Sequence, residues 1–281
     1  MTASVTVVLA TQDRRERVLE TLPHLLALPE RPRVVLVDNA STDGTADAVA
    51  RAFPSVLVLR QSRNLGAVGR NVGVRAATTP YVAFADDDSW WAPGALARAA
   101  AHLDATPRLA VLAARILVGP EEQLDGVCAE MARSPLPPEP DLPGPPVLGF
   151  VACGAVVRRD AFLAVGGFSP LIGFLGEEEV LSQDLRAAGW RLAYVDDVVA
   201  HHHPGGAGPR PGRRRLQIRN SLLSAWLRRP LGVVLRRSAA VVDDADGRRA
   251  LVDVARRLPR ALRERRVLPP EVEAQVRLLE R

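Results

Sequence analysis

Ala83-Phe84-Ala85-Asp86-Asp87-Asp88-Ser89-Trp90-Trp91 closes an apolar run that begins at Tyr81, and it precedes Pro93-Gly94 and an alanine-rich helical stretch. The run reads as a buried strand, so three adjacent carboxylates sit where that strand ends. Crowded carboxylates repel one another and raise each other's pKa. Such a site favours a divalent cation or a cationic partner.

Toward the N-terminus the chain alternates strands and helices. Val5 to Ala10 is a continuous apolar run of the kind buried on both faces of a parallel sheet, and the polar turn Thr11-Gln12-Asp13-Arg14 follows it. A helix is expected from about Arg15 to Leu28, with Val18, Leu22 and Leu25 near helical spacing. Arg33 to Val37 is the second strand, ending at Asp38-Asn39, and a further helix opens at Thr45. Val56 to Leu59 and Tyr81 to Ala85 complete a β-α-β-α-β pattern. The expectation is an α/β fold with a doubly wound, Rossmann-like, mostly parallel sheet flanked by helices, which binds ligands beyond the carboxyl ends of its strands. Polar residues gather at those ends: Thr11 and Asp13, Asp38 and Asn39, and Asp86 to Asp88. The glycines of Asn64 to Asn71 have the wrong spacing for a dinucleotide fingerprint or a P-loop.

Composition bounds the function. A chain of 281 residues with 47% hydrophobic content can bury a full core. Residues 205–281 hold 19 Arg against 8 Asp or Glu, an excess of +11, so residues 1–204 carry 18 basic against 24 acidic side chains. The basicity belongs to the tail. Cys128 and Cys153 are too few for a disulfide framework and fit a reducing, cytoplasmic setting. The first residues lack the pattern of a secretory signal, and no apolar run approaches the length of about 20 residues that spans a bilayer. The expectation is a soluble protein or one peripheral to a membrane.

The second half carries a helix (Ala95 to His102), a strand (Leu109 to Leu117) and a run of seven prolines within Ser134 to Pro146, expected as an extended surface loop. Val147 to Phe168 reads as an apolar strand holding Cys153-Gly154, then a short helix ending at Gly166-Gly167. Glu177-Glu178-Glu179 opens a helix that closes at Gly189-Trp190. After the strand Arg191 to Val195, His201-His202-His203 introduces imidazoles, which bind transition metals beside carboxylates. A flexible Gly-rich stretch, Gly205 to Gly212, leads to basic helices through Arg281.

The ordered set VVLVDNASTDGT (34–45), RNLGAVGRNVG (63–73), the Asp86-Asp87-Asp88 triplet, and the later Gly-Gly-Phe and Gly-Glu-Glu segments resembles a family 2 glycosyltransferase over residues 4–204. The resemblance implies a GT-A fold, a nucleotide-diphosphate sugar donor, Mn2+ or Mg2+, and inversion in hexosyl or deoxyhexosyl transfer. It implies donor contacts from Thr11, Asp13, Asp38, Asn64, Asn71, Asp86 and Asp87, and metal ligation by Asp88 and His201. It places Glu178 at the family's general base, with Glu177 as second choice, although the family usually carries Asp at that position. It also implies a GT-A domain over 1–204, with a nucleotide-sugar half at 1–117 and an acceptor half at 118–204. An Arg-rich helical region over 205–281 would follow. The acceptor would be a hydroxyl on a glycan, a lipid-linked sugar or a small molecule, and basic helices suit peripheral contact with an anionic membrane. The alternative is a non-catalytic sugar-nucleotide or nucleic-acid binding protein. For nucleic acid, the tail lacks aromatic interleaving apart from Trp226. A nucleotidyltransferase would need a glycine-rich basic phosphate loop, which is missing.

Overall fold

The computed structural model describes residues 4–205 and 211–280. One sheet of nine strands runs in the order β3-β2-β1-β4-β8-β6-β9-β5, with β7 paired to β6. The strands are β1 (Val5–Thr11), β2 (Arg33–Asp38), β3 (Leu57–Arg60), β4 (Tyr81–Ala85), β5 (Ser89–Trp91), β6 (Leu109–Val118), β7 (Gln123–Leu124), β8 (Ala155–Arg158) and β9 (Arg191–His202). The β3-β2-β1-β4 half is wholly parallel, β8 runs antiparallel to β4 and β6, and β6 pairs parallel with β9. The helices are α1 (Arg15–Leu26), α2 (Thr45–Ala52), α3 (Gly69–Ala76), α4 (Ala95–Ala105), α5 (Gly126–Ala132), α6 (Arg159–Ala164), α7 (Glu177–Ala187), α8 (Arg213–Arg228), α9 (Leu231–Ala239), α10 (Ala245–Arg263) and α11 (Pro270–Leu279).

Strand alternation divides the core in two. Val5, Val7 and Leu9 enter a cluster with α1 and α4, whereas Val8 enters the opposite cluster with α3, α6 and α7. This explains the unbroken apolar run of β1, which is covered on both faces. The register sets Thr11 against Asp38 and Leu9 against Ala85, so Thr11, Asp38 and the Asp86-Asp87-Asp88 turn leave the sheet at one edge.

Several elements depart from the sequence reading. Helix α3 lies in the segment between β3 and β4, for which no helix was expected, and it contains Gly69 and Gly73. Here they let the helix lie against the sheet: a Cβ on Gly73 would fall 2.3 Å from Val8 Cγ1, and one on Gly69 would fall 2.8 Å from Asn39 Oδ1. Cys153-Gly154 lies in a short 3-10 turn before β8 and not in the strand. β9 runs beyond Val195 to His202, because the chain bulges after Val195 and then rejoins β6 at Val199. Its far end pairs with β5, Trp90 opposite His201.

The proline-rich loop is only partly a surface feature. Leu136, Val147 and Leu148 are buried, and the Tyr194 and Val147 amides donate to the Pro145 and Leu192 carbonyls at 2.9 and 3.1 Å. Residues 206–210 of the expected Gly-rich linker lie outside the described residues. Beyond it, Leu222, Leu223, Leu227 and Val254 of the basic helices form a cluster with Leu171, Ile172 and Val180. Much of the tail's arginine is bound internally: Arg229, fully buried, pairs with Glu273 at 2.6 Å and with Glu280, and Arg228 reaches Asp184 Oδ2 at 2.7 Å. Among the described residues no helix is long and apolar enough to cross a membrane.

The closeness of α3 to the sheet is testable. Gly73→Ala should destabilise the protein by about 1–3 kcal/mol, the usual cost of overpacking, despite alanine's better helix propensity. The denaturant midpoint measures this; an unchanged midpoint would mean that α3 does not sit so close.

Candidate active site

An open cleft of about 750 Å3 lies at the carboxyl edge of the parallel strands. Asp86, Asp87 and Asp88 line it together with Thr11, Arg14, Arg70, Glu177, Glu178 and His202. Its volume is that of a small-molecule site.

The three aspartates are differently held. Thr11 Oγ1 donates to Asp87 Oδ2 at 2.9 Å, and Thr21 Oγ1 donates to the Asp87 carbonyl at 2.7 Å. The Asp86 amide donates to Ser89 Oγ at 2.7 Å, which fixes the turn. Burial, with Asp88 and Asp86 adding to it, pushes the Asp87 carboxyl up to about 6 although the Thr11 hydroxyl opposes the shift. Burial would raise Asp88 as well, but the His202 imidazole at 3.3 Å and the Arg14 and Arg17 charges outweigh it, and Asp88 is lowered. The same contact raises His202.

Sequence reasoning missed Arg70. Helix α3 carries its guanidinium into the protein at 6% exposure, where one amino group pairs with Asp86 and the other lies 3.8 Å from Glu177 Oε1. Glu177 is 3% exposed at the first turn of α7. Burial, reinforced by neighbouring Glu178, pushes its carboxyl up to about 8 against the pull of Arg70. Glu178 is raised chiefly by burial too. Arg70 Nε and Glu177 Oε2 are buried with no hydrogen-bond partner, a state that buried polar atoms adopt rarely outside functional sites. Backbone hydrogen bonds from the amides of Glu178 itself and of Ala152, with the Arg70 charge, oppose the rise of Glu178. The signal for Arg70 was its place in a glycine-spaced segment between strand ends rich in carboxylate, since a buried charge must be paired.

The remaining candidates separate. Asp38 is buried; Oδ2 accepts from the Ser41 amide at 3.2 Å, while Oδ1 has no partner. Asp13 is exposed and accepts from the Thr42 amide at 2.7 Å, and neither it nor Asp38 lines the cleft. Asn64 lines the cleft, its Oδ1 accepting from the Gly66 amide at 2.7 Å. Asn71 does not join them: it is 4% exposed, and its amide spends both ends on Phe168, donating to the carbonyl at 2.9 Å and accepting from the amide at 3.0 Å. His201 is turned away from Asp88. Its Nδ1 lies 3.2 Å from Glu122 and its ring stacks with Trp90, because alternation along β9 gives the Asp88 side to His202.

Among the described residues no three His, Cys, Asp or Glu side chains converge as a complete metal cage. Asp88 and His202 do supply an oxygen and a nitrogen donor side by side in the cleft. The carboxylate fits Mn2+ or Mg2+ completed by substrate phosphates, and the imidazole beside it favours the transition ion Mn2+ of the two.

Residues 6–166 match the family model described as Glycosyl transferase family 2. Over 285 residues the chain is 29% identical to the N-acetylglucosaminyl-diphospho-decaprenol L-rhamnosyltransferase of Mycobacterium tuberculosis, covering 86% of this chain and 92% of that one. Among solved structures it is similar to a mannosyltransferase from Pyrobaculum calidifontis in complex with GDP-Man and Mn2+, with TM-score 0.59, 22% identity, and 99% and 75% of the two chains covered. It is also similar to S. aureus TarS in complex with UDP-GlcNAc, with TM-score 0.63, 16% identity, and 97% and 83% covered. These structural likenesses show the GT-A fold.

The burial of Glu177 gives a stability prediction. The carboxyl titrates near 4.5 when exposed and near 8 in the fold, so between these values the folded state holds a proton that the unfolded chain has lost. The contribution is full below the unfolded pKa and is lost as pH rises through the folded one. Glu177→Gln, which cannot ionise, should flatten the decline of stability across that window. Urea midpoints at acid, neutral and alkaline pH measure it; parallel curves for the two proteins would contradict the burial.

Proposed function

The chain belongs to glycosyl transferase family 2, and on that premise we propose that it moves a hexosyl or deoxyhexosyl group from a nucleotide-diphosphate sugar to an acceptor hydroxyl, with inversion and with a divalent cation. One observation carries the reading: a single cleft holds both the Asp86-Asp87-Asp88 turn with His202 and the raised carboxyls of Glu177 and Glu178. The name of the rhamnosyltransferase relative supports deoxyhexosyl transfer and a lipid-linked acceptor class.

In this reading residues 1–117 form the donor half, 118–204 the acceptor half and 205–281 a helical buttress. Thr11 and Asn64 bound the nucleoside end, Asp13 follows β1 and Asp38 ends β2, and Asp38 Oδ1, which has no partner, is an acceptor for a base or ribose proton. Asp86 and Asp87 shape the diphosphate end, and Arg14 supplies a positive charge there. Mn2+ or Mg2+, held by Asp88 and His202, would offset negative charge on the diphosphate when bound. Asn71 serves the fold by tying α3 to Phe168.

Glu178 is the base. Its carboxyl lines the cleft and is raised by burial, which makes it a stronger proton acceptor than a free carboxylate. It takes the acceptor hydroxyl proton as the oxygen bonds to the anomeric carbon and the bond to the diphosphate breaks. Glu177, engaged with Arg70, orients that guanidinium.

Glu178→Gln should leave donor affinity near that of the parent and lower kcat by roughly 10²–10⁴, the usual worth of a general base. Turnover is read with sugar nucleotides, and the anomeric configuration of the product by NMR. Near-normal turnover would move the base to Glu177, and retention of configuration would contradict the single displacement.

A further inference from the structure

Phe174 lies in the cleft three residues before Glu177, and its side chain is 46% exposed. The preceding Leu171 and Ile172 are buried in the cluster with α8, whereas the Phe174 ring joins none of the buried clusters. A lone exposed apolar side chain needs no explanation. Its backbone does.

Gly173, Leu175 and Gly176 all have left-handed φ, at 80°, 68° and 87°. For Leu175 that conformation costs about 1–2 kcal/mol and persists only where the surroundings impose it. They do so densely. The Ala67 amide donates to the Gly173 carbonyl at 3.0 Å, and Arg219 Nη2 donates to the Ile172 carbonyl at 3.1 Å. Asn220, 2% exposed, donates through Nδ2 to the Phe174 and Leu175 carbonyls at 2.6 and 2.7 Å. Helix α8 thus holds a strained loop that presents an aromatic ring in the cleft that Glu178 also lines.

We propose that Phe174 is the platform on which a sugar ring of the acceptor stacks, placing its hydroxyl before Glu178; this rests on the proposed function. A pyranose has a face of C–H groups and a rim of hydroxyls, so it suits an aromatic face with polar neighbours. The surrounding lining supplies such neighbours in Asn64, Glu178 and Arg213. Val151 and Leu175 also line the cleft, in a mixed polar and apolar surface that suits the two sides of a pyranose. A fixed platform also spares the acceptor site the entropy of ordering the loop. The role is one of acceptor specificity.

The test uses the full chain with UDP or GDP, Mg2+ and a panel of methyl pyranosides (gluco, manno, N-acetylglucosaminyl and rhamno), read by saturation-transfer NMR. At least one pyranoside should receive saturation on the C–H groups of one face. Phe174→Ala should weaken that binding by about tenfold, the upper range for an aromatic contact, and Phe174→Trp should retain it. The thermal shift given by the nucleoside diphosphate should be the same in all three proteins. Undiminished pyranoside binding by Phe174→Ala would overturn the proposal. So would no pyranoside binding by a parent protein that responds to nucleotide, or loss of the nucleotide response in Phe174→Ala, which would assign the ring to the base of the donor. A folded parent protein without any nucleotide response would overturn the proposed function, and this inference with it.

Discussion

The buried guanidinium of Arg70 is the constraint on which the site depends. A charge at 6% exposure is tolerable only if it is paired, and its partners come from separate parts of the chain, Asp86 from the turn after β4 and Glu177 from the start of α7. Removing one member of such a group typically costs about 3–5 kcal/mol, because the others are left uncompensated. The arrangement therefore fixes three elements at once. Gly69 and Gly73 set the depth at which α3 delivers the guanidinium, and Asn71 ties the same helix to Phe168. Glu177 lies 3.8 Å from Arg70, whose charge holds down a carboxyl that burial pushes up to about 8.

From that centre the C-terminal helices acquire a mechanical sense. Their arginine excess suggests a surface for phosphate or membrane, yet Arg228 and Arg229 are spent on Asp184, Glu273 and Glu280, and Arg265 donates to backbone carbonyls. Arg219 and Asn220 hold the loop that leads into Glu177. These helices brace the loop and the start of α7 at the edge of the cleft. A basic composition alone does not distinguish a bracing role from a binding one, because pairing is a property of the folded arrangement.

The parallel half of the sheet was legible because strands covered on both faces appear as unbroken apolar runs, as in Val5 to Ala10 and Tyr81 to Ala85. The residues at their carboxyl ends could be grouped from topology alone, and Thr11, Asp38 and the Asp86-Asp87-Asp88 turn do leave the sheet at one edge. What escaped depended on long-range contacts. Helix α3 depends on Gly73, which allows close approach to Val8, and the burial of Arg70 follows from that helix's place against the sheet. The choice between His201 and His202 turned on whether β9 continues past its bulge. Once it does, strand alternation assigns His202 to Asp88 and His201 to Glu122. Asn71 lies outside the cleft lining because its side chain serves the backbone of Phe168, 97 residues away.

The most direct test of the account is a thermal-shift panel of nucleoside diphosphates and sugar nucleotides with and without Mn2+, on the parent protein and on Asp88→Ala. At 100 times its dissociation constant a ligand adds about 2.7 kcal/mol of apparent stability. The account predicts a metal-dependent shift with one nucleotide series and its loss in Asp88→Ala. A folded parent protein that none of them stabilises, or an Asp88→Ala variant with the full metal-dependent shift, would contradict it.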